Sequence, residues 1–291
     1  MFPSRFRYEA PRTLAEATSL LHDGDGEAKV LAGGQSLVPL LKLRFASPEL
    51  LVDINNLPDL AYHRLDEAGA LHIGALCRHA DLERSILLAD QQPTMIAAAP
   101  LIADPIVRTR GTLVGSLCHA DPQGDWAAVI TALGGMVVAH GPAGRRTIAI
   151  GDLVTGPFQN TLAYDEIAVE AIVPAAQGRL VGGFLKLERR VGDFATAGTA
   201  VAVELDGDRV LRAGIALSGV GGRTIDAREA ADSLTGQVLD QAAVARAADL
   251  AAAAAEPRSD HRGSAEYKRH VIHTFVTRIL TRVSPARTEA A

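Results

Sequence analysis

Apolar and polar residues alternate in short blocks at the start of the chain, and these blocks predict strands and helices of modest length. The segment TLAEATSLLHD, which starts at Thr13, places leucine and alanine at helical spacing, with Thr13 as its N-cap. Strands are predicted for AKVLA (28–32) and LLVDI (50–54). Between these strands, Ser36 is placed to cap a helix that continues through Leu43.

A second group of elements follows, too short and too closely spaced for a regular Rossmann unit. The pattern predicts a strand over 70–76, a helix over 80–90 and an alanine-rich helix from about Thr94 to Ala103. The segment RTRGTLVGSLCHADPQGDW then predicts a turn of glycine and hydroxyl residues beside apolar strand residues. A helix DWAAVITALG and strands MVVAH and RRTIAI complete this region.

The pattern changes near Pro174, after which longer antiparallel strands are predicted, beginning with the segment 182–190. A hairpin is indicated with its turn at 206–208. Two helices end the chain, at roughly 238–255 and 264–283. The last helix carries an apolar stripe at i, i+4, i+8 spacing that consists of Val271, Phe275 and Ile279.

Charge and composition narrow the classes of function. The 291 residues carry a formal charge of -5 with a pI near 6.0 and no long basic run, which argues against a surface that neutralises nucleic-acid phosphate. The start has no apolar segment of signal-peptide length, and no apolar run approaches the roughly 20 residues that cross a bilayer. We therefore expect a cytoplasmic protein without a transmembrane segment, whose partners are small molecules or proteins and not nucleic acid.

Cysteine is scarce, and this limits the redox centres that the chain can build. Cys77 and Cys118 cannot make a disulfide framework or a four-thiolate iron–sulfur cluster. Neither they nor the neighbouring histidines have a metal-ligand spacing such as CxxC or HExxH, so no metal site is expected. Any iron–sulfur cluster must belong to a partner.

Two segments combine glycine with hydroxyl residues. In the first, Ala32-Gly33-Gly34-Gln35-Ser36, consecutive amides followed by a helix start form a nest of donors that suits a diphosphate. In the second, Gly111 to Ser116, Thr112 and Ser116 add hydroxyl groups. Each segment alone is also typical of a tight turn. Together they match a dinucleotide, which needs both halves of a cradle.

Two clusters of charged residues have competing interpretations. Asp121 and Asp125 either contact hydroxyl and N–H groups of a cofactor or, for Asp125, cap the helix that begins at Trp126. The cluster around Lys186 and Glu188 is either a solvated or intersubunit charged face or a lysine aimed at a cofactor ring. The residue types alone leave both questions open.

Three segments carry a resemblance to a known family: LAGGQSL, RTRGTLVGSLCHADP and FLKLERRVGDFATAG, followed by the closing YKRHVIHTFVTRIL. In this order and at this spacing they resemble the medium flavoprotein subunits of molybdenum hydroxylases. That family includes carbon monoxide dehydrogenase, xanthine dehydrogenase and nicotine or quinoline dehydrogenases. The resemblance covers nearly the whole chain.

The resemblance implies an α+β fold with two domains. Residues 1–176 are expected to form a FAD-binding domain of the vanillyl-alcohol oxidase (PCMH) type, made of two α/β subdomains at about 1–55 and 56–176. Residues 177–291 are expected to form a C-terminal domain of the carbon monoxide dehydrogenase flavoprotein type, with a three-stranded antiparallel sheet and helices. Non-covalently bound FAD is expected between these parts.

The resemblance also implies cofactor contacts by position. The segment 29–37 is expected to wrap the diphosphate, Lys186 to reach FAD and Phe194 to cover one face of its ring. No catalytic residue or metal ligand is expected. The complete expected cofactor-binding set is Lys29, Val30, Leu31, Ala32, Gly33, Gly34, Gln35, Ser36, Leu37, Ile102, Gly111, Thr112, Gly115, Ser116, His119, Asp121, Asp125, Ile167, Lys186 and Phe194.

The chain departs from the family's pattern at two positions. The second motif of the family usually reads TIGG, whereas Val114 stands in place of its first glycine, and the Cβ of Val114 is expected to reshape that loop. Phe194 stands where tyrosine often occurs in the carbon monoxide dehydrogenase branch, so no phenol hydroxyl is available there.

The function that the resemblance implies is electron relay. Flavin exchanges electrons singly or in pairs and can join one-electron iron–sulfur centres to a two-electron acceptor such as oxygen, a quinone or a nicotinamide. The expected partners are a large subunit with the molybdenum cofactor and a small subunit with [2Fe–2S] clusters, arranged as a dimer of heterotrimers. Lys186 is expected to raise the flavin potential by favouring the reduced anion.

Two alternatives of other classes remain open at this stage. A self-contained flavin oxidase or reductase needs its own substrate pocket and a base near the ring, and the sequence offers no convincing base. A scaffold subunit would bind no flavin.

Overall fold

The computed structural model of the chain describes residues 2–284 and begins with a small parallel sheet. Its strand order is β1-β3-β2, and all pairs are parallel. Thr13 caps the first helix as predicted, because its Oγ1 accepts a hydrogen bond from Glu16 N at 3.2 Å. The elements are β1 (Arg7–Glu9), α1 (Leu14–Asp23), β2 (Ala28–Leu31), α2 (Leu37–Leu43) and β3 (Leu50–Asp53), followed by a 3₁₀ turn at Ile54–Asn56.

The second group of elements builds a five-stranded antiparallel sheet with strand order β4-β5-β10-β6-β7, packed with short helices. A second 3₁₀ turn lies at Ala99–Leu101. The elements are β4 (His63–Leu65), β5 (Leu71–Gly74), α3 (His79–Glu83), α4 (Ile86–Gln91), α5 (Pro93–Ala98), α6 (Pro105–Arg108), α7 (Leu113–His119), α8 (Asp125–Ala132), β6 (Met136–Gly141), β7 (Gly144–Ala149), α9 (Ile150–Leu153), β8 (Val154–Gly156), β9 (Gln159–Asn160) and β10 (Ile167–Val173).

Three predictions for this region are corrected. The helix predicted over 80–90 is two helices, because Ser85 Oγ accepts a hydrogen bond from Leu88 N and starts a new helix there. The alanine-rich helix ends at Ala98 and continues only as the 3₁₀ turn, which contains Pro100, a residue without an amide N–H. The apolar residues after Thr112 form helix α7 and not a strand.

The last part contains a sheet with strand order β11-β12-β13-β14, and every pair is antiparallel. The three long antiparallel strands are confirmed, and the two-residue β14 is added at the edge. The predicted hairpin joins β12 to β13 through Gly207, whose φ is +59°. The elements are β11 (Arg179–Leu187), β12 (Ala197–Asp206), β13 (Arg209–Ser218), β14 (Ile225–Asp226), α10 (Arg228–Asp232), α11 (Gln241–Ala254) and α12 (Ala265–Val283).

The C-terminal sheet is covered on both faces, which explains why nearly every residue of β12 is buried. One face, with Ala200 and Ala202, joins the core that includes α5 and α8. The other face, with Val201 and Val203, packs on α12 and belongs to the core that includes α11. Helix α8 approaches so closely that a Cβ on Gly214 would lie 1.8 Å from Ala132 O. This contact joins the earlier α/β elements tightly to the C-terminal sheet.

Within residues 2–284, no helix is both long enough and apolar enough to cross a membrane.

Candidate functional site

The first glycine segment (residues 32–36) connects the end of β2 to α2. Gly34 has a φ of +76°, in the left-handed region that favours glycine, and its carbonyl accepts a hydrogen bond from Val38 N at 2.9 Å. Ser36 is the N-cap residue, but its hydroxyl accepts no capping hydrogen bond, which corrects the predicted side-chain cap. Among residues 2–284, the amides of 33–36 have no acceptor, so four consecutive donors are available to a ligand.

The second glycine segment, with the preceding Arg110 included (residues 110–116), begins before α7 and continues into its first turn. Thr112 caps this helix, because its Oγ1 accepts a hydrogen bond from Gly115 N at 3.1 Å. A Cβ on Gly115 would lie 2.7 Å from that oxygen, so glycine permits the cap. Val114 is 2% exposed and packs in the core. The Val114 side chain is therefore a core contact within helix α7 and does not lie in a loop.

The two glycine segments are in direct contact although they are far apart along the chain. A Cβ on Gly33 would lie 2.4 Å from Arg110 O and 2.8 Å from Gly111 Cα. Real Cβ atoms do not approach backbone this closely, so only glycine fits at this position. The structure thus brings together the two halves of the expected diphosphate cradle.

Lys186 lies in a buried cluster of carboxylates and carbonyl groups, with its side chain only 1% exposed. Its ammonium donates to Asp125 Oδ2 at 3.0 Å, to Asp193 O at 3.0 Å and to Leu101 O. These three bonds use all three N–H groups of the ammonium. Glu188 Oε2 lies 3.2 Å away as a further ion-pair partner. The interpretation as a solvated face is therefore wrong for Lys186 and Glu188, while the neighbouring Arg189 side chain is 63% exposed.

Burial and the charge of Lys186 have opposite effects on the pKa of Asp125. It is the first residue of α8, and Gly124 is the N-cap, so the alternative in which Asp125 caps this helix is wrong. Burial raises the pKa of Asp125 to about 6, and the opposing charge of Lys186 limits the rise. Its second oxygen, Oδ1, is buried without a hydrogen-bond partner in the described chain. A buried acceptor of this kind suits a ligand hydroxyl or ring N–H.

The other residues of the expected cofactor-binding set occupy different positions around the glycine segments and the Lys186 cluster. Ile102 follows Leu101, whose carbonyl accepts from Lys186, and Phe194 follows Asp193 and is 50% exposed. The His119 ring lies 5.2 Å from that of Phe158, and Asp121 Oδ1 accepts from Gln123 N. Residues 29–31 lie on β2, Leu37 starts α2, and Ser116 lies on α7. Ile167 begins β10 and is buried in the core.

Sequence reasoning missed two polar residues, one bonded to each glycine segment. Asn55 Nδ2 donates to Ala32 O at 2.8 Å, and Arg78 Nη1 donates to Arg110 O at 2.7 Å. Arg78 Nη2 also donates to Asn55 Oδ1 at 2.6 Å. One signal could have revealed Asn55: it follows β3, and parallel strands β2 and β3 end at the same edge of their sheet. No such signal marks Arg78.

Comparison with protein families covers both parts of the chain. Residues 4–176 match the model described as "FAD binding domain in molybdopterin dehydrogenase". Residues 183–283 match the "CO dehydrogenase flavoprotein C-terminal domain".

Individual relatives match over almost their full length. The carbon monoxide dehydrogenase medium chain of Hydrogenophaga pseudoflava is 40% identical over 96% of this chain and 97% of its own. The nicotine 6-hydroxylase medium subunit of Paenarthrobacter nicotinovorans is 36% identical over 94% of this chain and 95% of its own.

Solved structures agree with the sequence relatives. A chain of the H. pseudoflava carbon monoxide dehydrogenase that lacks the Mo-pyranopterin moiety superposes with a TM-score of 0.92 at 40% identity, covering 97% of this chain and 98% of that one. A chain of quinoline 2-oxidoreductase from Pseudomonas putida 86 gives a TM-score of 0.89 at 34% identity, with the same two coverages.

The fold, the paired glycine segments and these matches together define a FAD-binding subunit of a larger oxidoreductase. The chain belongs to the family of medium FAD-binding subunits of molybdenum hydroxylases, whose members work within multi-subunit complexes. The molybdenum and iron–sulfur centres of these enzymes sit in other subunits.

The residues present fit FAD. Within the described part of the chain, four consecutive backbone amides at 33–36 lack acceptors, and Gly33 leaves room where any side chain would collide with the second glycine segment. The unpartnered Asp125 Oδ1 supplies a buried acceptor. An anionic diphosphate and a hydroxyl-rich linker complement these groups.

Proposed function

We propose that the chain relays electrons through non-covalently bound FAD, from [2Fe–2S] clusters of a small partner subunit to an external acceptor. A large partner subunit holds the molybdenum cofactor, and the assembly is a dimer of heterotrimers in the cytoplasm. The names of the relatives support a complex with further subunits, since they are medium chains or subunits of dehydrogenase complexes. FAD, when bound, supplies the exchange of electrons singly or in pairs.

One observation carries the proposal: the contact of Gly33 with Arg110 and Gly111. In this arrangement the segment 29–37 surrounds the diphosphate from one side. Gly111, Thr112, Gly115 and Ser116 support it from the other. Because the amides of 33–36 donate to nothing else in the described chain, they are ready to donate to phosphate oxygens.

The remaining cofactor contacts are assigned around Lys186. Asp125 Oδ1 accepts a hydrogen bond from the cofactor, while Lys186 keeps Asp125 ionised and in place. Lys186 acts on the ring through its charge, because its three N–H groups already donate to protein acceptors. Ile102, His119, Asp121 and Ile167 contact the rest of the cofactor, and the half-exposed Phe194 covers one ring face.

We also propose the domain division at about residue 176, with subdomains at about 1–55 and 56–176 before it. Two features support this division: the ranges of the two family matches and the change from the five-stranded sheet to the C-terminal sheet.

The proposal is tested by replacing Gly33 with valine in the complex purified from its native host. The valine side chain meets Arg110 O, so the two glycine segments must separate, and we expect FAD to be absent from the complex. In a dithionite titration, the Gly33→Val complex then takes up about two electrons fewer per chain than the wild-type complex, since FAD accepts two. Gly222→Val is the matched control, because a Cβ there meets nothing within 4 Å.

Three outcomes contradict the proposal. The wild-type complex could lack a flavin spectrum, the Gly33→Val complex could keep its full FAD content, or the chain could purify without a molybdenum subunit and an iron–sulfur subunit. Gly34→Asp provides a second variant in case Gly33→Val does not fold, because it brings a carboxylate to the same segment.

A further inference from the structure

Asn55 and Arg78 form a continuous hydrogen-bonded bridge between the two glycine segments. The bridge runs from Ala32 O to Asn55 Nδ2 (2.8 Å), from Asn55 Oδ1 to Arg78 Nη2 (2.6 Å) and from Arg78 Nη1 to Arg110 O (2.7 Å). Neither residue belongs to a glycine segment. Asn55 follows β3, and Arg78 is the N-cap residue of α3. The bridge therefore joins the parallel sheet to the elements that carry α7.

The orientation of Asn55 is fixed by its neighbours. Asp53 Oδ1 accepts hydrogen bonds from both the backbone N and the Nδ2 of Asn55, and Asp53 Oδ2 accepts from the Tyr8 hydroxyl. With Nδ2 donating to Asp53 and Ala32, the Oδ1 of Asn55 is left to accept from Arg78. An amide is suited to this position because it carries a donor and an acceptor on one rigid plane.

Arg78 is fixed at both ends. Its backbone N donates to Asp81 Oδ2 at 3.0 Å, and it forms a β-bridge with Thr112 in the second glycine segment. Its guanidinium donates to two acceptors at once through a planar fork, which a lysine ammonium does not reproduce. Two arginines, Arg78 and Arg110, lie close together beside the glycine segments. Burial, followed by the neighbouring charge of Arg110, lowers the pKa of Arg78.

We propose that Asn55 and Arg78 are positioning residues that hold the two glycine segments at the separation that one diphosphate group requires. This inference rests on the proposed function, because it takes the two segments as the diphosphate site. A diphosphate that contacts both segments binds more tightly when they are already ordered relative to each other. Otherwise the entropy lost in ordering them reduces the affinity. The pair thus acts on FAD affinity through backbone carbonyls and not through direct contact.

The test measures the dissociation constant of FAD for the full chain, stripped of FAD and titrated with the cofactor. For Arg78→Lys, which keeps the charge but loses the fork, we expect the dissociation constant to rise roughly tenfold or more. Arg145→Lys is the matched control, because Arg145 is an exposed arginine on β7. The Arg145→Lys variant is expected to bind FAD like the wild type.

A double-mutant cycle separates positioning from a general loss of stability. If Asn55 and Arg78 form one bridge, the Asn55→Ala/Arg78→Lys variant loses little more affinity than the weaker-binding single variant. Additive losses would overturn the single-bridge proposal. Far-UV circular dichroism and the urea midpoint of the FAD-free chain identify variants that do not fold, and Asn55→Ala alone then carries the test.

The outcomes distinguish this inference from the proposed function. Wild-type chain that binds no FAD overturns the proposed function and the inference with it. Wild-type chain that binds FAD, together with an Arg78→Lys variant of unchanged affinity, overturns the inference alone, because the charge without the fork is then sufficient.

Discussion

The ammonium of Lys186 and the carboxylate of Asp125 form a buried ion pair, with 3.0 Å between Nζ and Oδ2 and side chains that are 1% and 7% exposed. Lys186 belongs to β11 and Asp125 to α8, so the pair joins the C-terminal sheet to the preceding α/β elements. Because Asp125 Oδ1 has no partner in the described chain, the pair presents one buried acceptor at this junction.

Replacing Lys186 with methionine is expected to lower the reduction potential of the bound flavin. The substitution removes a positive charge and leaves the nearby Asp125 and Glu188 carboxylates uncompensated, which disfavours a reduced anion. A potentiometric titration in alkaline buffer, where Asp125 is ionised, measures the change. Lys42→Met, at an exposed lysine of α2, is the control. An unchanged potential in the Lys186→Met protein would remove this electrostatic role.

Asp125 is expected to make the stability of the FAD-free chain depend on pH in a definite direction. Its folded pKa of about 6 lies above its ordinary value of 3.8, so the folded state binds more protons between these values. Stability relative to an Asp125→Asn variant should therefore decrease as pH rises from about 4 to about 6, by roughly 3 kcal/mol. Urea unfolding of both proteins across this range checks the sign, and an opposite slope would refute the burial argument.

His79 is expected to make the stability of the FAD-free chain depend on pH in the direction opposite to Asp125. Burial, followed by the charges of Arg108 and Arg78, lowers its pKa from 6.5 to about 4, and its Nδ1 accepts a hydrogen bond from Trp126 Nε1 at 3.0 Å. The stability that neutral His79 contributes is present above pH 6.5 and is lost as pH decreases toward 4, by roughly 3 kcal/mol. In a His79→Asn variant, whose side-chain oxygen can accept from Trp126, this acid-sensitive component should be absent from the unfolding free energy.

Trp126 is expected to report cofactor binding. It is the single tryptophan of the chain, fully buried, and it directly follows Asp125 on α8. A flavin bound at Asp125 lies close enough to accept excitation energy from the indole, so FAD should quench the fluorescence of the FAD-free chain in a saturable way. Trp126→Phe removes the signal and identifies its source. Full fluorescence in chain that demonstrably holds FAD would place the flavin elsewhere.

Gly214 is expected to control how closely helix α8 packs on the C-terminal sheet. A Cβ there would lie 1.8 Å from Ala132 O, so Gly214→Ala must push the helix away and should lower the free energy of unfolding by roughly 1–3 kcal/mol. Gly151→Ala is the matched control, since a Cβ at Gly151 meets nothing within 4 Å. Equal stability of the two variants would contradict this packing argument.

Local sequence signals predicted most individual elements. The Thr13 cap, the strands before and after the first glycine segment and the hairpin at Gly207 each depend on a few neighbouring residues. The segment after Thr112 was misassigned because a short apolar run fits a strand or a helix equally well. The Thr112 cap and the burial of Leu113 and Leu117 on one side of α7 decide for the helix.

The candidate site was only partly predictable. The two glycine segments could be identified from their residue types, and the family resemblance supplied Lys186 and Asp125. The surroundings of Lys186 could not be predicted, because Leu101 lies 85 residues away from it and Asp125 lies 61 away. Whether a lysine is solvated or buried depends on which elements pack over it, and the charges near it along the chain do not reveal this.

By itself, the amino-acid sequence determined the helices and strands with strong local signals, the glycines that allow close backbone approach and the family to which the chain belongs. Only the tertiary structure decided that Gly33 meets Arg110 and that Arg78 reaches both Asn55 and Arg110. The physical reason is that caps and turns are set by interactions over a few residues. These contacts join residues 23, 32 and 77 positions apart and exist only once separate elements have packed.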